Sequence, residues 1–114
     1  MDKLIQRLRE FSSKRDWDQF HSPKNLSMAL AAEVAEILEL FQWLTEEETR
    51  NPDEKMRQKL KDEIGDVQIY LARLSDQLGF SPLEAAKEKL RKNSEKYPVE
   101  KAKGSAKKYT EFDE

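Results

Sequence analysis

Four carboxylates stand in segments that are otherwise apolar. Residues 26–44 form an apolar run whose only charged residues are three glutamates, and two of these, Glu33 and Glu36, are three positions apart. Glu63 and Asp66 have the same spacing, and the residues after them are again apolar. Side chains three apart share one face of a helix. Burying such charges without partners would cost several kcal/mol each, so the two pairs together favour a divalent metal site with all four carboxylates as ligands.

The competing interpretation is that each pair lies on a solvated helix face. The chain has 23 acidic residues among 114, and the same spacing recurs at Glu36/Glu39 and at Glu111/Glu114. For any single pair the solvated face is therefore the favoured explanation. Two pairs in apolar surroundings shift the balance towards the metal site.

The types of ligand indicate which metal would bind. The chain has no cysteine, and carboxylate oxygens suit Mg²⁺, with Mn²⁺ as the alternative. A di-iron carboxylate bundle would need Glu-x-x-His on two helices. The only histidine, His21, lies outside both pairs, so the di-iron alternative is disfavoured.

The helices that must position these carboxylates are predicted from the positions of prolines and glycines and from the spacing of apolar residues. Three prolines follow a polar residue, as at helix starts: Ser22-Pro23, Asn51-Pro52 and Ser81-Pro82. Gly79 stands where a helix would end. These marks predict four helices, at about 2–14, 24–44, 52–78 and 82–96. Gly65 lies inside the third, where a close approach of backbone or ligand would explain a glycine.

Apolar residues recur with helical spacing, and no window of useful length alternates with the period of a strand. The third helix carries the longest stripe, which consists of Met56, Leu60, Ile64, Val67, Leu71, Leu74 and Leu78. The sequence therefore predicts an all-α protein. Residues 1–98 are expected to form one helical domain. Residues 99–114 are expected to form a charged, extended tail that a neighbouring subunit would order.

Composition excludes several classes of protein. The 21 basic and 23 acidic residues nearly balance, which argues against a general nucleic-acid binder. No apolar run approaches the roughly 20 residues that span a bilayer, and the N-terminus lacks the apolar core of a signal peptide. We expect a soluble, cytoplasmic protein that binds neither nucleic acid nor membrane.

The two carboxylate pairs also carry a family resemblance. Glu33-Val34-Ala35-Glu36 followed by Glu63-Ile64-Gly65-Asp66 is similar to the ExxE…ExxD signature of the MazG-like nucleotide pyrophosphohydrolases. The likeness is greatest to the dCTP pyrophosphatase branch of that family. It extends over residues 15–21, 33–43, 63–71, 93–98 and 105–111.

The resemblance implies a fold, a reaction and a set of roles. The fold would be a four-helix bundle completed by dimerisation, with a homodimer or a homotetramer as the assembly. The reaction would be Mg²⁺-dependent cleavage of a nucleoside triphosphate, dCTP or a modified dCTP, to the monophosphate and pyrophosphate, as in the housecleaning of nucleotide pools. Family metal ligands carry over to the four carboxylates already named. Lys89 and Asn93 match family positions that reach the phosphates.

The remaining candidates concern the base and the proton. Trp17, His21 and Trp43 are candidates for a base pocket, although tryptophans in small helical proteins commonly pack in cores or interfaces. Tyr70 would either donate a hydrogen bond to the substrate or fill the bundle. Glu36 is the candidate general base, although the sequence does not separate that role from metal ligation.

Two other classes of function compete with this one. A helical oligomerisation module would use the carboxylates for a structural metal or expose them to water. A metal-dependent phosphatase would release orthophosphate, and a nuclease would cut a polynucleotide, which the near-neutral charge disfavours.

Overall fold

The computed structural model describes residues 1–104, and this part of the chain contains helices and turns but no β-strand. Its helices are α1 (Asp2–Lys14), α2 (Pro23–Phe41), α3 (Glu46–Arg50), α4 (Glu54–Gln77), α5 (Pro82–Lys96) and α6 (Val99–Ala102). A 3₁₀ turn at Asp18–Phe20 connects α1 to α2. The all-α prediction is confirmed. Within residues 1–104, no helix combines the length and apolar character that crossing a bilayer requires.

The predicted helix starts are correct at two of the three prolines. The Ser22 side chain accepts a hydrogen bond from the Asn25 backbone N–H and so caps α2. The start predicted at Asn51-Pro52 is wrong, because the Asp53 side chain accepts from the Met56 N–H at 2.8 Å and α4 begins after it. A carboxylate at this position also meets the positive end of the helix dipole.

The second helix ends three residues earlier than predicted. Thr45 and Glu48 form a reciprocal capping box that begins α3, and the chain therefore turns between Phe41 and Thr45. Trp43 lies in this turn with 87% of its surface exposed. Trp43 therefore lies outside α2, although the sequence analysis placed it within the helix predicted at 24–44.

The end of α4 is the one that the sequence predicted. Gly79 has φ +90°, its N–H bonds to the Asp76 carbonyl, and the Phe80 N–H bonds back to the Ser75 carbonyl. This pair of bonds is a Schellman motif, which satisfies the last carbonyls of the helix and requires a left-handed residue at its turn.

The described chain divides into two compact units, residues 1–81 and a unit that begins at Pro82. In the first unit, α1 and α2 each pack against α4. Its buried apolar residues are few: Ile5, Leu26, Leu60 and Ala72. The single-domain assignment of residues 1–98 stays a prediction.

The second unit contains α5 and α6. The four residues of α6 correct the expectation of an extended chain after Pro98, because Pro98 ends one helix and caps the next. The rest of the predicted tail, residues 105–114, lies outside the described residues.

We predict opposite effects for two glycine substitutions. Gly79→Ala should lower the free energy of unfolding by about 1 kcal/mol, since a Cβ is disfavoured at positive φ. Gly65→Ala should raise it by about 1 kcal/mol, because a Cβ there would meet no other atom of the described chain within 4 Å and alanine favours the helix. Urea unfolding at one fixed protein concentration measures both. A loss of stability in Gly65→Ala would mean that a group outside the described residues approaches the glycine.

Candidate metal centre and adjoining cavity

Packing of α2 against α4 brings three of the four predicted carboxylates together. Glu33 and Glu36 lie one turn apart on α2, and Glu63 faces them from α4. One oxygen from each lies within 4.8 Å of the others, in an arrangement that could hold a metal ion. Glu33 and Glu63 are half-buried, whereas Glu36 is exposed. We call these three residues the carboxylate cluster.

Asp66 stands beside the cluster and is not part of its close group. It follows Glu63 by one turn of α4 and lines a neighbouring cavity. Its negative charge is still close enough to help raise the pKa of Glu33. Its role as a fourth metal ligand therefore stays a prediction.

The cluster is electrostatically strained without a cation. A hydrogen bond to Glu36 that favours the protonated form, followed by desolvation and the neighbouring charges, raises the pKa of Glu63 to about 7. Burial raises the pKa of Glu33, and the charges of Glu36 and Asp66 add to the rise. The hydrogen bond to Glu63 acts in the opposite direction and lowers the pKa of Glu33 in part.

Two oxygens of the cluster lack any hydrogen-bond partner. Glu33 Oε2 and Glu63 Oε2 are both buried, and neither receives a donor from the described chain. Buried polar atoms without partners are costly, and a cation between α2 and α4 would satisfy both oxygens at once. The donor set consists of oxygens alone, which suits a hard divalent cation. The residues present therefore fit the predicted metal.

A cavity of about 230 Å³ adjoins the cluster on the side of Asp66. Three residues that the sequence singled out for substrate binding line it: Trp17, His21 and Tyr70. Leu8, Phe11 and Ile69 are further apolar residues of its lining. The cavity is thus a mainly apolar pocket with a carboxylate at one side.

A strained turn delivers the aromatic wall of this cavity. Asp16 has φ 54°, which is unusual for a residue other than glycine, and it lets the Trp17 N–H bond back to the Ser12 carbonyl at 3.0 Å. Gln19 Nε2 donates to the Asp16 carboxylate at 3.2 Å and supports the turn. The backbone that carries Trp17 and His21 is therefore fixed against the end of α1.

The two aromatic candidates in this segment contact each other. The Trp17 ring meets the His21 ring edge-on, with centroids 6.3 Å apart, and meets the Phe11 ring in the same manner at 5.7 Å. The His21 Nδ1 atom is buried and has no partner in the described chain. These side chains pack against each other and can also contact a ligand, because Trp17 is partly exposed.

A hydrogen-bonded group of three residues, two of which line the cavity, was missed by the sequence analysis. Arg73 Nη2 donates to Asp18 at 3.0 Å and to Ser12 at 3.3 Å, and the Ser12 hydroxyl donates to Asp18 at 2.8 Å. One signal was present, since Arg73 is the only charged residue among the apolar residues 67–75. Its partners are 55 and 61 positions away and have no local signature.

The other predicted substrate-binding residues are placed elsewhere. Trp43 is absent from the lining of this cavity, because the early end of α2 puts it in the turn before α3. Lys89 and Asn93 lie one turn apart on α5, in the second unit. Their contact with phosphates stays a prediction.

Three comparisons with known proteins agree on the family that this chain resembles. A family model described as the MazG-like family matches residues 28–112. The chain is 43% identical to "dCTP pyrophosphatase 1" of Mus musculus over 106 residues and 42% identical to that of Homo sapiens over 105 residues. The crystal structure of a pyrophosphatase from Archaeoglobus fulgidus is similar with a TM-score of 0.80 and 43% identity, covering 86% of this chain and 92% of that one.

The alignments to the mammalian relatives cover 90% of this chain but 62% of the relatives' length. More than a third of each relative therefore has no counterpart in the aligned region.

We predict that the metal-free protein loses stability as pH rises from about 4.5 to about 7. In this window the folded state keeps a proton on Glu63 that the unfolded chain has released, so the free energy of unfolding falls with pH. Mg²⁺ should raise the melting temperature more at pH 7.5 than at pH 5.5. Thermal unfolding at several pH values, with EDTA or with Mg²⁺, measures both effects.

Glu63→Gln should flatten this pH dependence, because the amide does not titrate. Glu39→Gln is the matched control on the exposed side of α2 and should leave the slope unchanged. If the stability of the metal-free wild type and of Glu63→Gln changed equally with pH, the pH dependence would not come from the carboxylate cluster.

Proposed function

The chain belongs to the MazG-like family, and from this membership we propose that it hydrolyses a nucleoside triphosphate to the monophosphate and pyrophosphate. The proposed substrate is dCTP or a base-modified dCTP, and the proposed role is housecleaning of the nucleotide pool. The names of the mammalian relatives and of the archaeal pyrophosphatase support this reaction. The observation that carries it is the carboxylate cluster with two buried oxygens lacking partners, next to a cavity.

The cluster would hold the cation, with Asp66 as the fourth ligand. We propose Mg²⁺, with Mn²⁺ as the substitute, because the donors are all carboxylate oxygens. When bound, this ion supplies positive charge that offsets the phosphate oxygens of the substrate. The repulsion that raises the pKa of Glu33 and Glu63 would be relieved at the same time.

Glu36 is the proposed general base. Its side chain is the exposed one of the cluster, so a water molecule can reach it. In the reaction the bond between the α and β phosphates breaks, the water oxygen bonds to phosphorus, and the water proton passes to the Glu36 carboxylate. Lys89 and Asn93 on α5 would bind the phosphates, as the family resemblance implies.

The cavity would receive the base. Its volume of about 230 Å³ is below the roughly 300 Å³ at which pockets for whole drug-sized ligands begin, so it fits a ring with the sugar and phosphates outside. Stacking of a base on an aromatic side chain contributes about 1–3 kcal/mol in single-strand binders. Trp17 and His21 would supply that surface, and Tyr70 would supply a hydroxyl. Trp43 lines no part of this cavity, and its contact with the base remains a prediction.

A homodimer or homotetramer is the proposed assembly. Val34 and Leu38 lie one turn apart on α2 and expose 49% and 66% of their surfaces, and Ile64 on α4 is exposed next to the cluster. A single chain with few fully buried apolar residues gains by covering such a face. A cytoplasmic location is likewise a proposal, and it rests on the sequence alone.

We predict that Glu36→Gln lowers kcat by a factor of about 100 or more, because a positioned general base contributes about 10²–10⁴ to the rate. The assay follows monophosphate and pyrophosphate release from a panel of nucleoside triphosphates, with Mg²⁺ and with EDTA. Glu39→Gln, three residues further along α2 and exposed, should keep the wild-type rate.

Other products would redirect the proposal. Orthophosphate release would indicate a phosphatase, and cutting of a polynucleotide would indicate a nuclease. Absence of any cleavage with either metal would leave the helical oligomerisation module as the better account.

We predict that Leu38→Glu weakens self-association, because it places a charge on the exposed apolar face of α2. Light scattering coupled to gel filtration should show a shift towards monomer. Lys3→Gln changes the net charge by the same amount at an exposed position of α1 and should leave the assembly intact. The same molar mass for all three proteins would place the interface elsewhere.

A further inference from the structure

Arg73 occupies an unusual position for an arginine. It lies on α4 three residues after Tyr70, lines the cavity, and exposes only 9% of its side chain. Burying a long cationic side chain is costly unless its donors are used. Each N–H donor of this guanidinium is therefore expected to have a hydrogen-bond acceptor.

The ion pair with Asp18 explains one end of the guanidinium. Nη2 donates to Asp18 and Ser12, which ties α4 to the end of α1 and to the 3₁₀ turn. The Nε–H has no acceptor, although the Nε atom is buried. A guanidinium stays protonated in proteins and has no acceptor of its own, so only an incoming acceptor can satisfy this donor.

The cavity is the place from which such an acceptor can come. Its volume fits a single planar ring, and its walls are aromatic or aliphatic apart from Ser12, His21, Asp66, Tyr70 and Arg73. Among these polar side chains, Arg73 is the one with a fixed positive charge. A ring that enters with a carbonyl oxygen leading would meet a donor there, whereas a ring edge with only N–H groups would not.

We propose that Arg73 is a specificity-determining residue, whose Nε–H donates to the 2-oxo group of a cytosine bound in the cavity. The inference rests on the proposed function and deepens it by naming the atom of the base that is read. Cytosine has a single carbonyl oxygen, so the proposal points to one atom. Adenine has no carbonyl oxygen and would offer this donor only a ring nitrogen as acceptor.

The test is a binding cycle in which both the residue and the base atom are changed. Dissociation constants are measured by calorimetry in Mg²⁺ for dCMP and for its 2-thio analogue, with the wild type and with Arg73→Lys. Lysine keeps the positive charge for Asp18 but lacks the Nε–H donor. We expect Arg73→Lys to weaken dCMP binding about tenfold or more.

The two changes should not be additive. Sulfur is a weaker acceptor than oxygen, so the 2-thio analogue should bind the wild type several-fold more weakly than dCMP and should lose little in Arg73→Lys. Steric effects of the larger sulfur would appear equally in both proteins. Equal losses in the two proteins, or unchanged dCMP binding by Arg73→Lys, would overturn the proposal.

Arg9→Lys provides the matched control. Arg9 also joins α1 to α4 through an ion pair, donating from Nε to Asp76 at 2.8 Å, and it lies outside the cavity lining. Its variant should bind dCMP within twofold of the wild type. If Arg73→Lys does not fold, the wild type still provides a test, since equal affinity for dCMP and its 2-thio analogue would overturn recognition of this oxygen.

The pyrophosphate-release assay separates this inference from the proposed function. If the protein releases pyrophosphate but the two changes in the binding cycle are additive, Arg73 does not recognise the base, and the proposed reaction is still supported. A coupled cycle without pyrophosphate release would support base recognition by Arg73 and remove the assigned reaction.

Discussion

Mutual repulsion of carboxylates held between two packed helices is the constraint on which the rest of this structure depends. The contact of α2 with α4 is what places Glu33, Glu36 and Glu63 within reach of each other, and it is also the main contact of the first unit. A folded state that forms this contact without a cation raises the pKa of Glu63 to about 7, so this carboxyl keeps its proton at pH values where an ordinary glutamate is ionised. Stability and ligand binding are therefore linked through the same pair of helices.

Much of this arrangement could be predicted from the sequence because it depends on helical periodicity. The two pairs of carboxylates three residues apart had to lie on helix faces, and the helix starts at Ser22 and Pro82 follow from local capping chemistry. Asp66 shows the limit of spacing arguments. It shares a face with Glu63, yet the packing of α2 decides that the close group contains three oxygens and that Asp66 lines the cavity.

The features that escaped prediction are of two kinds. The early end of α2 was readable in principle, because Thr45 and Glu48 have the spacing of a capping box, and overlooking it moved Trp43 onto the wrong element. The contact of Arg73 with Asp18 was not readable, because it joins residues 55 positions apart through a turn at Asp16 that has positive φ. Such a conformation costs about 1–2 kcal/mol for residues with a Cβ, although aspartate is among those that tolerate it. Local patterns carry no information about which distant side chain such a turn will meet.

The two unmet requirements of the first unit are complementary to opposite ends of one molecule. The cluster has two buried oxygens without a hydrogen-bond donor, and the wall of the cavity has a buried guanidinium donor without an acceptor. Asp66 connects the two regions, since it lines the cavity and its charge acts on Glu33. A nucleotide that carries Mg²⁺ on its phosphates and a carbonyl oxygen on its base brings both missing partners at once. In that proposal a free phosphate with its cation would satisfy only the cluster, and a free base would satisfy only Arg73, so each fragment would leave one buried group without a partner. Under the proposed function, selectivity for a whole nucleotide would follow from the cost of leaving either end unsatisfied, which is larger than the gain from any single added contact.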